Sequence, residues 1–238
     1  MAPDMKCYNT SYPGVHQAVK FRYTRVMSLK TMFLDLDDTL YPPSAGIWPA
    51  IGGRIDLYMV ERLHLPAEQV PALRRQLFRQ YGTTLRGLVV TMNIDPVDYL
   101  DFVHDVPVER MLQPDARLRE ILSGLLQRKV ILTNADRKHA GRVLDALKVT
   151  DCVDQIIDIL DVTPYCKPQA GAFECALHMA GETDPAQCAV IDDGLPNLAA
   201  ARQIGFHTVR VGSAEPSQEY EVGISSIYEL PGAIEAWL

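Results

Sequence analysis

The chain has 238 residues, 47% hydrophobic and 22% charged, with a formal charge of −7 and a pI near 5.3. That balance suits one large soluble domain or a core with an insertion. It argues against a nucleic-acid polymer or an anionic membrane as partner, since either calls for a basic face that displaces counterions. A small ligand is expected instead, and if it is anionic, local cations or a bound metal must offset the negative total.

Residues 1–28 carry Lys6, Lys20, Arg22 and Arg25 against the single acid Asp4 and contain no apolar run of the secretory type. They are expected to form an irregular extension, or to lie upstream of a start at Met27. The five cysteines, Cys7, Cys152, Cys166, Cys175 and Cys188, lack zinc-binding spacing. Reduced thiols in the cytoplasm are the simplest reading. No apolar run approaches the roughly 20 residues that span a bilayer.

"TMFLDL", residues 31–36, predicts a buried strand. From Tyr41 to about Pro114 the spacing is helical only, with apolar residues three and four apart at Ile47, Ile51, Ile55, Tyr58, Met59 and Leu63. Roughly seventy residues of helix exceed an ordinary βα crossover. Residues 43–114 are therefore expected to form an inserted helical subdomain, a four-helix bundle over the ligand-binding end of a sheet. Strands then follow at "KVILTN" (129–134), "QIIDIL" (155–160), "CAVID" (188–192) and "HTVRV" (207–211), alternating with helices at about 136–147 and 169–180 and one ending near Gly205. The alternation predicts an α/β core with a doubly wound parallel sheet, built from residues 29–42 and 115–238.

Strand ends carry the chemistry. Asp35 closes the first strand, and Asp37 points to the same side if strand geometry persists. Asp-x-Asp alone is as readily an Asp-rich turn. Thr133 ends the second core strand, Lys167 precedes a proline at the mouth of a helix, and Asp192 with Asp193 ends another strand. Each has a bland explanation, but the ordered set at successive strand ends is hard to sustain as coincidence.

These residues resemble the four motifs of the haloacid dehalogenase (HAD) superfamily: Asp35, Asp37 and Thr39; Thr133; Lys167; and Asp192 with Asp193. The long helical stretch stands where helical-capped members carry their cap, and the core of such proteins is Rossmann-like. The resemblance implies that Asp35 is the nucleophile, forming an aspartyl phosphate, and that Asp37 is the acid and base. It implies Mg2+ as cofactor, held by Asp35, the Asp37 backbone carbonyl and Asp193, with Asp192 behind them. Lys167 would neutralise nucleophile and phosphate, while Thr133, Thr39 and Asn134 would meet the phosphoryl group. Asp38 is expected at the surface or behind the site.

The second acid at Asp37 distinguishes the pattern from dehalogenases, whose halide leaving group needs no proton. Phosphonate hydrolysis through a cap lysine is also excluded, because Tyr41 to Arg128 contains no lysine. "DLDDTLYP", "YGTTLRGL" and "RKVILTNADRKHAGRVLDAL" are similar to the pyrimidine 5′-nucleotidase-like branch, which implies hydrolysis of nucleoside 5′-monophosphates. A phosphatase or phosphomutase acting on sugar phosphates or other small phosphometabolites is the alternative. Tyr81, Thr83, Thr84 and Arg86 are candidates for substrate contact, although helix capping explains the threonines equally well, and an exposed helical arginine is commonly solvated.

The expected partner is a small phosphomonoester, with no nucleic-acid polymer and no membrane, on a cytoplasmic monomer or weak homodimer. Two departures from the family pattern are Gly194 after the second acid and Cys166 before the lysine, the latter a candidate for oxidative sensitivity. His139 and His178 are expected as surface or packing residues, and His64 and His104 fall in the insertion. A signalling receiver domain uses similar residues, but it lacks the insertion and places its acids in another order.

Overall fold

The computed structural model describes residues 28–238, so the expectations for Cys7 and the basic leader lie outside the described residues. Six strands form one sheet: β1 (Thr31–Leu34), β2 (Arg128–Leu132), β3 (Gln155–Ile157), β4 (Cys188–Asp192), β5 (His207–Val211) and β6 (Val222–Ile224). Their order is β3-β2-β1-β4-β5-β6, and every neighbouring pair is parallel. The order reverses direction between β1 and β4, the switch point at which ligands bind in open α/β sheets.

Helices cover both faces, which is why the strands read as continuous apolar runs rather than alternating ones. Met32 and Leu34 of β1 join Ile131 and Ile191 in one core layer. Phe33 turns to the other face with Val130 and Val190. Burying each such side chain contributes about 1.5–3 kcal/mol.

Between β1 and β2 run α1 (Ile47–Glu61), α2 (Val70–Tyr81), α3 (Thr84–Met92), α4 (Pro96–Val103), α5 (Val108–Met111) and α6 (Ala116–Gly124). The first four close a ring, with α1 against α2 and α4, and α3 against α2 and α4. Gly87 lets α2 and α3 approach closely, since a Cβ there would stand 2.7 Å from Leu77. Thr83 and Asp95 cap the helices that follow them, accepting from the backbone N–H of Arg86 at 3.0 Å and of Val97 at 2.8 Å. Arg54 ties α1 to α4 by donating to the Phe102 carbonyl at 2.8 and 3.0 Å. After β2 come α7 (Arg137–Leu147), α8 (Ala170–Met179), α9 (Leu195–Ile204) and α10 (Leu230–Ile234). None of the described helices is long and apolar enough to cross a membrane.

Three predicted strands stop early, β2 among them at Leu132 rather than Asn134. Asp35 still donates its backbone N–H to Ile191 at 2.8 Å, but Leu40 then donates to the Leu36 carbonyl at 3.0 Å, so the chain turns where strand geometry was expected to persist. β3 ends at Ile157 because the Asp158 carboxylate gathers the backbone N–H groups of Arg137, Leu160 and Asp161 at 2.8–3.0 Å. β6 is a further strand that its three-residue "VGI" run did not announce.

Candidate active site

Strand register delivers the site. Leu34 is level with Ile131 of β2 and Ile191 of β4, so the next residue on each strand brings Asp35, Leu132 and Asp192 to one row, with Thr133 just beyond. Lys167 arrives from the loop between β3 and α8. Its ammonium donates to Asp35 Oδ1 and to Asp192 Oδ2, both at 2.7 Å. The lysine side chain is only 3% exposed and that of Asp192 is fully buried. A buried cation must be paired, and here it has two partners.

Carboxylates from Asp35, Asp192 and Asp193 place ligand atoms within 4.8 Å of one another. Three acids against one ammonium leave an excess negative charge. Burial and the neighbouring Asp192 and Asp193 push Asp35 up to about 8 in spite of Lys167. Asp193 is also raised, by burial and then by Asp192. The attraction of Asp35 and Asp192 overcomes burial for Lys167 and raises it, so the ammonium stays charged. A hard, oxygen-seeking dication fits this donor set, because it offsets the repulsion among the three carboxylates.

Asp192 is further fixed by Gly194 N–H at 2.8 Å and by the Asn197 amide at 2.9 and 3.1 Å. A Cβ at Gly194 would stand 3.0 Å from Asp192 Oδ1 and 2.9 Å from Asn197 Nδ2. Glycine at this position therefore preserves the carboxylate's anchoring through its own backbone N–H.

Above the acids lies a cavity of about 1070 Å³. Asp35, Asp37, Thr133, Asn134, Lys167 and Asp193 line its core side, and Trp48, Ile51, Phe78, Tyr81, Tyr99 and Val103 line its helical side. Thr83 and Thr84 reach it, and Thr83 also serves as a helix cap.

Two expectations need correction. Arg86 does not line the cavity; α2 supplies Arg74, Arg75 and Arg79 in its place. Thr39 is buried below the cavity floor, and its hydroxyl donates to Asp35 Oδ2 at 3.2 Å, so it orients that carboxylate rather than meeting substrate. Asn134 stays at the cavity wall, and its amide also exchanges hydrogen bonds with the Lys167 backbone at 2.9 and 3.0 Å, which seats the lysine loop. Thr133 accepts from Ala135 N–H at 3.0 Å and keeps its hydroxyl proton available.

Asp37 holds the largest surprise. It reaches the cavity through the turn after β1, and its Oδ1 accepts from His139 Nε2 at 2.8 Å and from the Tyr41 hydroxyl. Burial alone would raise this carboxyl, but the charge and hydrogen bond of His139, with Tyr41, hold it below its ordinary value. His139 is fully buried at the start of α7. No sequence signal links it to Asp37, since 102 positions separate them. His104 stacks on His139 with ring centroids 4.5 Å apart and meets Asp136 at 3.0 Å. Asp38 is half-buried with φ 60, and burial, then Asp193 and Asp37, push it up to about 6.

Cys166 is buried, which raises its thiol, and it donates to the Tyr81 carbonyl at 3.4 Å. A buried, protonated thiol resists oxidation, so the expected sensitivity is not supported.

A family model for haloacid dehalogenase-like hydrolases matches residues 29–205. The chain belongs to this family. Sequence similarity extends to Phosphate metabolism protein 8 of Saccharomyces cerevisiae, 28% identical over 191 residues, or 74% of this chain. The chain spans 60% of that relative's length. Among solved structures, the HAD-hydrolase YfnB of Bacillus subtilis, bound to magnesium, matches with a TM-score of 0.58 at 16% identity, covering 86% of this chain and 98% of that one. An L-2-haloacid dehalogenase of Xanthobacter autotrophicus matches with a TM-score of 0.53 at 17% identity, covering 87% and 98%. At such identities the structural matches speak to the HAD fold alone.

Proposed function

We propose that this HAD hydrolase is a magnesium-dependent phosphomonoesterase that works through an aspartyl phosphate on Asp35, with nucleoside 5′-monophosphates as substrates. The observation that carries the reading is Lys167 clamping Asp35 and Asp192 beneath the cavity, with a second carboxylate, Asp37, on the same wall. A dehalogenase needs no such second acid. The relative named for phosphate metabolism supports the same direction. The same proposal divides the chain into a core of residues 29–42 and 115–238 and a helical lid of residues 43–114.

Asp35, Asp193 and the Asp37 backbone carbonyl would hold the magnesium ion, with Asp192 behind them. When bound, the ion supplies charge neutralisation at the carboxylates and at the phosphoryl oxygens. Asp35 attacks phosphorus while Lys167 offsets the charge of both reactants, and Thr133 donates to an equatorial oxygen. Asp37 gives a proton to the departing alkoxide and later takes one from the water that cleaves the acyl phosphate. Asn134 and Thr39 keep Lys167 and Asp35 in place for both steps.

A cavity of about 1070 Å³ exceeds what a small sugar phosphate fills and suits a nucleoside. Its aromatic residues offer stacking surfaces, and its arginines offer positive charge within an acidic protein. The test is phosphate release from a panel of nucleotides, sugar phosphates and p-nitrophenyl phosphate, with and without EDTA. Catalytic, magnesium-dependent release led by nucleotides is expected. Stoichiometric labelling without turnover would instead indicate a phosphorylation switch, and halide release from a 2-haloacid would indicate a dehalogenase.

A further inference from the structure

Both donors to Asp37 converge on one of its two carboxylate oxygens. His139 Nε2 and the Tyr41 hydroxyl each meet Oδ1, whereas no hydrogen bond reaches Oδ2 among the described residues. His139 Nδ1 is buried without a partner. Nε2 is the ring nitrogen with an acceptor in reach, so in either charge state of the ring it is the one that donates. Its aim is thereby fixed.

The aim is braced from behind. Asp136 divides its two oxygens between two tasks: Oδ1 accepts the backbone N–H of His139 at 2.7 Å, starting α7, and Oδ2 meets His104 Nδ1 at 3.0 Å. His104 in turn lies flat on the His139 ring, with an interplanar angle of 23°. The bracing thus joins the end of α4, where His104 caps the helix, to the first turn of α7. A rotation of the imidazole would break its contact with Asp37 and disturb that stack.

On the proposed phosphatase reading, we infer that His139, aided by Tyr41, is a positioning residue that reserves Asp37 Oδ2 for proton exchange with the substrate. Oδ1 is taken by two donors, so Oδ2 is the oxygen open to exchange a proton. In the acid step a proton on Oδ2 passes to the leaving alkoxide as the phosphorus–oxygen bond breaks, leaving Asp37 ionised and Asp35 phosphorylated. The attacking water later returns a proton to the same oxygen. His104 and Asp136 act only by holding His139.

Leaving-group dependence tests this directly, because an alkoxide needs the proton and a nitrophenolate hardly does. In His139→Leu, kcat/KM should fall about 100-fold for a nucleoside 5′-monophosphate and only about threefold for p-nitrophenyl phosphate. His139→Gln, which returns an N–H donor near the position of Nε2, should restore most of the loss. Tyr41→Phe removes a single hydroxyl and should show a smaller loss with the same selectivity. Equal losses on both esters, no loss on either, or failure of glutamine to rescue would overturn the inference. The parent reading is checked separately by Asp37→Asn: if that variant loses the alkyl ester while His139→Leu does not, the phosphatase stands and the positioning role falls.

Discussion

The two ends of the cavity are built on opposite principles. At the core end, polar groups are crosslinked: Lys167 binds two carboxylates, Asn197 and Gly194 hold Asp192, and Thr39 holds Asp35. At the helical end the walls are apolar, with Trp48 and Phe78 respectively 47% and 53% exposed. Arg75 and Arg79 make no hydrogen bond or ion pair among the described residues. Crosslinked charges fix geometry at the cost of desolvation, which suits a reaction that depends on ångström-scale positioning. An apolar wall imposes little directional preference, which suits the accommodation of a leaving group. On the proposed function, one end is fitted to chemistry and the other to selection.

Variants should separate the ends. The largest effect is expected from Asp35→Asn, which removes the nucleophile and should lower turnover of every ester by at least about 10³-fold in steady-state assays. Retention of a tenth of the activity would break the assignment of chemistry to the core end. Asp193→Asn should raise the magnesium concentration needed for half activation by about 10- to 100-fold, read from a titration of activity against free Mg2+. At the other end, Phe78→Ala or Trp48→Ala should raise KM for a nucleotide by up to about tenfold, roughly one lost stacking contact. Their kcat on p-nitrophenyl phosphate should hardly move. A matching fall in kcat would show that the two ends are not separable.

A further effect concerns stability without metal. Asp35 in the folded chain lies at about 8, above the value of about 4 for an unfolded carboxylate. Between those values the folded state holds a proton that the unfolded state has lost. Raising the pH from about 4 to about 8 should therefore progressively destabilise the protein in EDTA. Urea midpoints at a series of pH values measure the slope. Saturating Mg2+ should flatten it, since the ion replaces the proton; a slope that persists would remove these acids from metal binding.

The same division governs what the sequence disclosed. Asp35, Thr133 and Asp192 are legible because parallel strand register and the switch point bring strand tips together whatever the side-chain packing, and Lys167 is legible by its place before a proline at the mouth of the next helix. Their neighbours were hidden for a physical reason. Whether Arg86 of α3 or Arg75 and Arg79 of α2 meet the cavity depends on how each helix is rotated in its ring, and amphipathic spacing does not set that angle relative to a ligand. His139 falls on a helical face that periodicity marks as buried, but the identity of its partner is a tertiary fact. The early ends of β1 and β3 were set by local turns, where Asp158 competes for backbone N–H groups that a longer strand would have used.

Gly82 adopts φ +88, and a Cβ on it would stand 3.0 Å from the sulfur of Cys166, the residue next to the clamping lysine. The turn that ends α2 is thus seated on the loop that aims the ammonium. Positions 82 and 166 are consequently joint tenants of one small space: enlarging either forces the other to yield, and Cys166→Ala would relieve the crowding of a Gly82→Ala change but not its backbone strain. Any redesign of the helical end that alters this turn will be felt, through two neighbouring residues, by the charge at the bottom of the cavity.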